Sequence, residues 1–540
     1  MRGRPSRRLT WAGFGLLSTL AGTAAGHLVA SLDRIDSSPV LAVGSTVIDA
    51  TPTPVKEWAI RNFGTADKPI LIGSVLAGVL VLAAVAGLLA RRRLVLGLGL
   101  QGLLVAVATA AALTNSGATA GDAVPGIATA VVGLGTLVLL ARAASATPGT
   151  AEDGATGGGA TGDGATGDGA TGDGATGDGA GGDAESGGSS RRGVLVAAGV
   201  IALAATVMAG AGQLIRKLRA RPEDVTLPTP DDPAGSFPRG LDDQVDGISP
   251  LRVPNEDFYR VDTRLDTPVV DLESWTLTID GDVDREVTLT FDDLLEMEII
   301  ERDITLTCVS NSVGGEFVGG ARWLGVRLTD VLELAGVGTT ADQMLSTDFD
   351  GMTISTPLDL ATDGRDAMIA IGMNGEALPR AHGFPARLVI PGLYGFISAT
   401  KWVTRLTLTT YADSTAYWTD RGWATDAPIK ISTRIDTPNA LDRLPAGEVV
   451  IGGVAWAQQR GGVDKVQVQV DGGGWRDAEL GPAVSNDYWR QWFFRWDAEP
   501  GSHAIAARAI SGDGTTQTDV RAQPFPDGAS GVQSLMVTVE

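Results

Sequence analysis

Cysteine and histidine are nearly absent from this chain of 540 residues, which has one cysteine and three histidines. A single cysteine excludes an intramolecular disulfide and any metal centre built from several thiolates, such as a zinc ribbon or an iron–sulfur cluster. So few histidines argue against a membrane haem held by two of them, and we expect no haem. The formal net charge of −22 argues against a nucleic-acid partner, which requires a basic face.

Long apolar runs, by contrast, are frequent in the N-terminal part. Five runs approach the roughly 20 residues that a bilayer core requires, which predicts about five transmembrane helices. They cover residues 9–30, 70–90, 94–113, 126–141 and 193–212. Arginines precede the first run, separate the second from the third and precede the fifth, which predicts a cytoplasmic N-terminus. The polar C-terminal region of this multi-pass cell-membrane protein is then extracytoplasmic, although a basic cluster at 216–221 opposes that orientation.

A pentapeptide repeat, GATGD, lies between the fourth and fifth apolar runs. It has almost no side chains that could form a core, so residues 146–190 are predicted to be a disordered, solvated linker. The next residues, Arg191 and Arg192, precede the fifth span in a pattern that resembles a twin-arginine export signal. An ordinary cytoplasmic arginine pair is the alternative interpretation.

The rest of the chain is predicted to be soluble. Residues 215–247 are rich in Pro and Asp and are predicted to form a tether after the helices at 1–145 and 191–214. Residues 248–415 mix alternating strand patterns with short helices, whereas residues 428–540 read almost entirely as strands. The predicted fold class is therefore α+β, with a mixed α/β domain followed by an immunoglobulin-like β-sandwich.

Four segments of the soluble part carry a family resemblance. They are NEDFYRVDT (Asn255–Thr263), TLTCVSNSVGG (Thr305–Gly315), GARWLGVRLTDVL (Gly320–Leu332) and MNGEALPRAHGFPARLVIPGLYGFISATKW (Met373–Trp402). Together and in this order they resemble the sulfite oxidase family of molybdenum enzymes, above all its bacterial membrane-attached members. The C-terminal region is similar to the dimerisation domain of that family.

The resemblance implies one molybdenum on a single pyranopterin, the molybdopterin cofactor, with the thiolate of Cys308 as metal ligand and catalytic residue. A buried free cysteine and a Cys–His nucleophile formed with His382 are the alternatives. Arg387 could form paired hydrogen bonds to the cofactor phosphate. The implied cofactor-binding residues are Tyr259, Arg260, Asp262, Thr263, Cys308, His382, Arg387, Ser398, Thr400 and Lys401.

The implied activity is oxygen-atom transfer on sulfite or another small sulfur compound or oxyanion. Electrons would pass to or from a separate cytochrome or quinone system, and a homodimer is possible. The pattern departs from sulfite-oxidising members in two places: Val313 stands where an arginine is expected, and GVQSLMV replaces an arginine-containing run near the last strand. A methionine-sulfoxide or other sulfoxide reductase on the same cofactor, or a non-catalytic extracellular binding module, are therefore alternatives.

Overall fold

The structure is a computed structural model of the chain. It describes residues 7–32, 34–52, 55, 63, 67–115, 118–145, 198–211, 225–265 and 267–540. The chain divides into two compact units, one of Met1–Asn115 with Thr119–Gln213 and one of Ser116–Ala118 with Leu214–Glu540. The predicted linker at 146–190 and the Arg191–Arg192 pair lie outside the described residues.

The described part of the first unit is helical. Its helices are α1 (Arg7–Ala30), α2 (Pro39–Ala50), α3 (Asp67–Arg92), α4 (Leu94–Thr114), α5 (Val124–Ser145) and the shorter α6 (Ala198–Ala211). Four of them, α1, α3, α4 and α5, are long and apolar enough to cross a membrane. They coincide with the first four predicted spans, and α6 is the described part of the fifth. The sequence analysis missed α2.

The helices of this unit expose large apolar side chains and meet through small ones. Val95 is 77 % exposed and Val131 is 69 % exposed, as expected for side chains that face lipid rather than water. A Cβ atom on Gly15 of α1 would lie 2.0 Å from the carbonyl oxygen of Ala83 of α3. Glycine there permits the close helix contact that is typical of membrane helices.

The described part of the second unit contains three short α-helices and nineteen strands. The helices are α7 (Phe291–Leu295), α8 (Leu328–Ala335) and α9 (Leu358–Ala361). The strands of the first part are β1 (Thr276–Gly281), β2 (Val287–Thr290), β3 (Ile299–Thr307), β4 (Val318–Arg327), β5 (Gln343–Asp348), β6 (Thr353–Pro357), β7 (Met368–Met373), β8 (Glu376–Ala377), β9 (Arg387–Val389) and β10 (Val403–Thr409). Those of the C-terminal part are β11 (Ser432–Thr437), β12 (Arg443–Leu444), β13 (Gly447–Trp456), β14 (Val463–Val470), β15 (Arg476–Asp477), β16 (Glu479–Leu480), β17 (Arg490–Ala498), β18 (Gly501–Ser511) and β19 (Gln533–Val539).

These strands form four sheets. The first part has one sheet in the order β2-β1-β10-β5-β6 and another in the order β3-β4-β7-β8, with β9 also paired to β7. The C-terminal part has sheets in the orders β11-β13-β17-β16 and β12-β19-β18-β14-β15. The prediction of N-terminal apolar helices followed by a mixed α/β region and a β-rich C-terminal region is confirmed.

Local sequence patterns explain several of these elements. In β1 the buried Leu277 and Ile279 alternate with less buried residues, and the strand pairs antiparallel with β2. In α8 the side chains of Leu328, Val331, Leu332 and Ala335 are buried, as the helical period requires. Gly336 ends α8 with a φ of 73°, a conformation that glycine adopts without strain.

The described residues of the predicted tether, 225–247, contact both the mixed α/β part and the C-terminal part of the same unit. The amide of Asp231 donates to the carbonyl oxygen of Ile299 at 2.8 Å, so this segment is bonded to β3. Leu241 and Val245 are buried and form a small apolar cluster with Ile248 and Phe493. This segment therefore contributes both hydrogen bonds and apolar packing to the second unit.

Candidate functional site

The single cysteine lies at the end of β3, where the strand turns into a tight loop. The amide of Cys308 donates to the carbonyl oxygen of Phe317 at 2.9 Å, and its own carbonyl oxygen accepts from the amide of Asn311 at 3.0 Å. The side chain of Asn311 closes the loop by accepting from the amide of Phe317 at 3.0 Å. These bonds hold the cysteine backbone at a defined place, with the side chain 9 % exposed.

The environment of the Cys308 sulfur favours the neutral thiol. Burial raises the pKa of the thiol, while the hydroxyl of Ser310, 2.9 Å from the sulfur, and the positive charge of Lys401 act in the opposite direction. The thiol is therefore protonated at neutral pH in the protein alone. A bound metal cation would reverse this balance, since metal ligation requires the thiolate and releases the proton.

Arg387 is a buried cation without a carboxylate partner among the described residues. It is 5 % exposed, and its guanidinium donates only to backbone carbonyl oxygens, those of His382 at 3.1 Å, Ala399 at 3.4 Å and Leu388 at 3.5 Å. It also lies over the ring of Trp323, 5.0 Å from the centroid. Burial lowers the pKa of Arg387 to about 10, which shows how costly the charge is in this place.

Two further cations lie close to Arg387. The ammonium of Lys401 donates to Asp262 at 2.7 Å, and the guanidinium of Arg260 donates to the same carboxylate oxygen at 2.8 Å. Burial lowers the pKa of Lys401 to about 8; Asp262 opposes this effect, and the charges of Arg387 and Arg260 add to it. Arg260 and Lys401 thus share the carboxylate of Asp262, and the charge of Arg387 adds to theirs, which leaves an excess of positive charge.

Aromatic rings and His382 line the same place. The imidazole Nε2 of His382 bonds the backbone carbonyl oxygen of Asn255 at 3.0 Å, and its ring contacts Phe258 edge-on at 5.6 Å. Burial, followed by the charge of Arg387, lowers the pKa of His382 to about 4, so the ring is neutral at pH 7. Tyr259 stacks on Phe258, and burial raises the pKa of its phenol.

Tyr259 connects the cysteine with the cations. After burial, the pKa of its phenol is influenced by both neighbours: an ionised Cys308 would raise it, and the charge of Arg387 lowers it, so both residues lie near this ring. The structure therefore brings Cys308, Tyr259, Arg260, Asp262, His382, Arg387 and Lys401 together, as the sequence analysis expected of one cofactor site. Thr263 lies in the same turn as Asp262, whose other oxygen accepts from the amide of Arg264 at 3.0 Å.

The hydroxyl groups of Ser398 and Thr400 form hydrogen bonds within the surrounding protein. The hydroxyl of Ser398 donates to the carbonyl oxygens of Leu393 and Tyr394, each at 3.0 Å. The hydroxyl of Thr400 bonds that of Ser346 at 2.6 Å. Both residues are completely or almost completely buried. Their hydroxyls shape the loop before Lys401, and a ligand would meet the backbone of this loop rather than these side chains.

Two neighbours of Cys308 were missed by the sequence analysis. The buried hydroxyl of Thr307 has no hydrogen-bond partner in the part of the chain that the structure describes. Tyr394 is 4 % exposed, burial raises the pKa of its phenol, and it lies near enough to the cysteine for an ionised Cys308 to raise that pKa further. Thr307 and Tyr394 both lie within the quoted motif segments, but only the folded structure shows their burial and the lack of a partner at Thr307.

These observations fit an anionic cofactor that carries a metal. Besides the unpaired charge of Arg387, the buried Nη2 atom of Arg260 has no partner among the described residues. A phosphate group would supply acceptors for both guanidinium groups, and the thiol of Cys308 would supply a soft ligand for molybdenum. The donor set is thus suited to molybdopterin, with its phosphate at the basic end and its metal at the cysteine.

A separate cleft lies between the cysteine loop and the C-terminal sheets. Its volume is about 680 Å³, and both Val313 and Gln533 line it. These residues belong to the two segments in which the sequence lacks the expected arginines. Among the charged residues that line the cleft, Asp257, Glu316 and Arg521 are exposed. The cleft therefore has no excess of positive charge at its surface.

Comparisons with known proteins match the part of the chain that contains Cys308, His382, Arg387 and Lys401. Residues 264–418 match the family described as "Oxidoreductase molybdopterin binding domain". Mouse mitochondrial sulfite oxidase is 31 % identical over 272 residues, which cover 42 % of this chain and 49 % of that protein. NADH nitrate reductase 1 of rice is 27 % identical over 316 residues, 47 % of this chain and 34 % of that protein.

Among solved structures, the sulfane dehydrogenase SoxCD from Paracoccus pantotrophus covers 55 % of this chain and 85 % of its own, with 22 % identity and a TM-score of 0.47. The sequence matches define the class of protein as a molybdopterin-dependent oxidoreductase. Within that class, the chain is similar to the sulfite oxidase family. The chain spans about half the length of the mammalian relatives that it matches.

Proposed function

We propose that this chain is a membrane-anchored molybdenum-cofactor oxidoreductase that catalyses oxygen-atom transfer on a small sulfur compound or oxyanion. One observation carries the proposal above all others. Arg387 is a buried cation that has no carboxylate partner in the described part of the chain and donates only to backbone carbonyl oxygens. A protein that used this place only for packing would gain by replacing the charge with an apolar side chain.

In this proposal, each part of the site has a distinct role. Cys308 holds the metal, while Arg387, Lys401 and Arg260 bind the anionic end of the cofactor. The neutral His382 keeps the segment at Asn255 against the site through its bond to the backbone. The rings of Phe258 and Tyr259 exclude water from the space between the cysteine and the cations. The bound molybdenum would supply two-electron oxygen-atom chemistry.

Anchoring and export belong to the proposal as well. Four apolar helices long enough to cross a bilayer support membrane attachment. We propose that the soluble part lies on the extracytoplasmic side and that Arg191 and Arg192 direct its export. Changing both to lysine should retain that part in the cytoplasm, where protease added to spheroplasts cannot reach it. Unchanged cleavage in the double variant would show that another signal directs export.

The C-terminal part has a structural role in the proposal. Its two sheets share an apolar core that includes Ile451, Val466 and Trp492, and this packing supports an immunoglobulin-like sandwich that serves as a dimerisation domain. We place the cofactor-binding domain at residues 248–415 and the sandwich at 428–540. The electron partner is proposed to be a separate cytochrome or quinone system.

A specific observation favours a second candidate, a sulfoxide-type reductase. Val313 and Gln533 line the same cleft, and neither supplies the positive charge that a sulfite dianion requires. The carboxylates of Asp257 and Glu316 would instead repel a dianion at that surface. A neutral sulfoxide would bind there without that cost.

Metal content is the first test of the proposed function. The full-length chain, made in a host that synthesises molybdopterin, should contain about one molybdenum and one pterin per chain. Elemental analysis and pterin fluorescence measure the two quantities. A molybdenum content below about one-tenth per chain would contradict an enzymatic role and favour the binding module.

The direction of turnover then separates the two enzymatic candidates. Sulfite-dependent reduction of a dye would support the oxidase, whereas sulfoxide-dependent oxidation of a reduced dye, without the first reaction, would support the reductase. The double variant Val313→Arg, Gln533→Arg restores positive charge to the cleft. It should lower the KM for sulfite about tenfold if the cleft admits substrate, and Arg521→Ala is the control for general effects on cleft charge.

A further inference from the structure

The strand that ends at Cys308 is an edge strand of its own sheet. β3 pairs with β4 on one side only. An edge strand presents unpaired backbone groups on its other side, and these must be satisfied if they are buried. Along the outer edge of β3, Asp231 and Asp232 bond Ile299, and near the cysteine the amide of Gly395 donates to Thr307 at 3.1 Å.

Between these points, the outer edge of β3 is bonded by the C-terminal part of the chain. The segment 485–489, which we call the strap, precedes β17 and lies along the strand. Its Ser485 hydroxyl donates to the carbonyl oxygen of Asp303 at 2.9 Å, and the carbonyl oxygen of Asp487 accepts from the amide of Thr305 at 3.0 Å. The amide of Trp489 donates to the hydroxyl of Thr305 at 2.9 Å.

Thr305, three residues before the cysteine, has all its polar groups bound by the C-terminal part. Its carbonyl oxygen accepts the remaining bond, from the side-chain amide of Gln458, which follows β13. Thr305 is fully buried and Gln458 is 2 % exposed, so water cannot replace these bonds. The carbonyl of Thr305 would be unsatisfied without Gln458, at the cost of an unpaired buried acceptor.

The strap is itself held in one position. Its Tyr488 hydroxyl and Trp489 indole both donate to the carbonyl oxygen of Leu251, at 2.9 and 2.7 Å. Gly320, opposite Thr305 on β4, leaves the space for these rings, since a Cβ atom there would lie 2.5 Å from the ring of Tyr488. The two bonds to Leu251 and the close fit of the rings over Gly320 therefore hold the strap in place.

The C-terminal part of the chain also bonds the second end of the cysteine loop, at Gly315. The guanidinium of Arg434, in β11, donates to the carbonyl oxygen of Gly315 at 3.1 Å. The loop between Cys308 and Gly315 is thus held by the C-terminal part at both ends, through Thr305 before it and Gly315 after it. Metal sites tolerate displacements of only about half an ångström in their ligands, so these contacts bear on the ligand position.

We propose that Gln458 and the strap are positioning residues that set the place of the Cys308 sulfur, so that the C-terminal part acts on the metal site through β3. The inference rests on the proposed function for the role of Cys308 as a ligand. Its structural content, that Gln458 restrains the cysteine, is testable without the cofactor. A failure of the proposed restraint on Cys308 can therefore be distinguished from a failure of the proposed function.

The test variant is Gln458→Met, which keeps the side-chain volume and removes the hydrogen-bond donor. The chain has one cysteine, so alkylation by iodoacetamide reports Cys308 alone. In the cofactor-free, full-length protein, the alkylation rate under native conditions should rise about threefold to tenfold, because local opening of β3 becomes easier. Gln469→Met is the matched control: Gln469 also donates to a backbone carbonyl, at an exposed hairpin, and its loss should leave the rate unchanged.

A second pair of variants separates positioning from general destabilisation. Ser485→Ala removes one bond of the strap to β3 and should raise the alkylation rate about twofold. Val466→Ala removes buried methyl groups from the C-terminal core, far along the chain from β3, and should lower the melting temperature without raising the rate. If Val466→Ala accelerates alkylation as much as Gln458→Met at an equal loss of stability, or if Gln458→Met leaves the rate unchanged, the proposal is wrong.

The loaded protein provides a further readout. Gln458→Met should shift the electron paramagnetic resonance spectrum of the reduced metal centre and lower kcat more than it changes KM, since the sulfur ligand moves while the substrate cleft stays intact. Gln469→Met should leave both the spectrum and kcat unchanged. Identical spectra for Gln458→Met and the unmodified protein would contradict a role in ligand geometry. Absence of molybdenum from all variants, with the alkylation result intact, would contradict only the proposed function.

Discussion

Two buried arginines in the same unit of the molecule differ in their partners. Arg387, in the part that matches the molybdopterin-binding family, is 5 % exposed and is surrounded by backbone carbonyls. Arg434, in the C-terminal part, is 8 % exposed and bonds the carboxylate of Asp436 at 2.5 Å. A buried charge costs free energy unless it is paired, so the carboxylate offsets this cost at Arg434, whereas Arg387 has no such partner among the described residues.

The two regions differ in the same way in their histidines. His382 is buried, and its pKa is lowered to about 4 by burial and by the cations near it. His503 bonds the carboxylate of Asp471 at 2.7 Å, and this bond raises its pKa. His382 bonds a backbone carbonyl oxygen and lies beside cations, whereas His503 bonds a carboxylate. The two imidazoles therefore differ in the sign of the charge around them, which is positive at His382 and negative at His503.

The largest expected effect comes from removing the sulfur itself. Cys308→Ser should keep the fold and the pterin but lower kcat to below about one-thousandth, because second-shell changes alone cost 10- to 100-fold. Turnover, pterin content and circular dichroism measure these quantities. Ser310→Ala, which removes only the neighbour of the sulfur, is the control and should retain most activity. Unchanged turnover in Cys308→Ser would refute the ligand role.

Next in size is the loss of the paired arginine. Arg434→Met leaves Asp436 as a buried carboxylate without its partner, and the free energy of unfolding should fall by about 3 kcal/mol. Urea denaturation of the cofactor-free protein measures this change. The double variant Arg434→Met, Asp436→Leu should recover part of the loss. An unchanged stability in the single variant would contradict the stabilising role assigned to the pair of Arg434 and Asp436.

The histidines give a pH dependence of slightly smaller size. Because the pKa of His382 is about 4 when folded and near 6.5 when unfolded, the unfolded chain binds more protons between these values. Stability should therefore fall by up to about 3 kcal/mol as the pH falls from 6.5 to 4. His382→Gln should flatten this part of the profile in the cofactor-free protein.

The titration of His503 changes the stability with pH in the opposite direction to that of His382. Its raised pKa contributes stability below the unfolded value, and that contribution is lost as the pH rises through the folded value. The parent protein should lose a small amount of stability as the pH rises through neutrality. The variant His503→Gln should not show this loss. Denaturation profiles of the two variants between pH 4 and pH 8 should deviate from the parent in opposite directions. Deviations of the same sign would contradict the contrast between the two environments.

The smallest effect expected on the fold comes from the unpaired arginine. Arg387→Met removes an uncompensated buried charge, so the melting temperature of the cofactor-free protein should stay unchanged or rise. The molybdopterin content of the loaded protein should fall about tenfold, because a phosphate contact is lost. Arg387→Lys keeps the charge but lacks the paired donors. Its molybdopterin content should therefore lie between those of Arg387→Met and the unmodified protein. A large loss of stability with full cofactor content would assign Arg387 to the scaffold.

Much of the site could be named from the sequence, because motif segments carry residue types whose chemistry matches a cofactor. Cys308, His382, Arg387 and Lys401 were all expected to belong to one site, and the structure brings them together. Their partners could not be predicted. Ser398 was expected in the loop around the cofactor, but the sequence did not show that its hydroxyl donates to the carbonyl oxygens of Leu393 and Tyr394, buried acceptors that the loop itself must satisfy.

The sequence by itself determined the order of the regions, the apolar helices, the hairpin of β1 and β2, and the end of α8 at Gly336. These features depend on residues close together along the chain, where hydrophobic period and backbone preference act locally. The tertiary structure alone decided which charges lack partners and that Gln458 bonds Thr305, 153 residues away. Such pairings depend on which groups are left without water when distant segments pack, and no local pattern encodes that outcome.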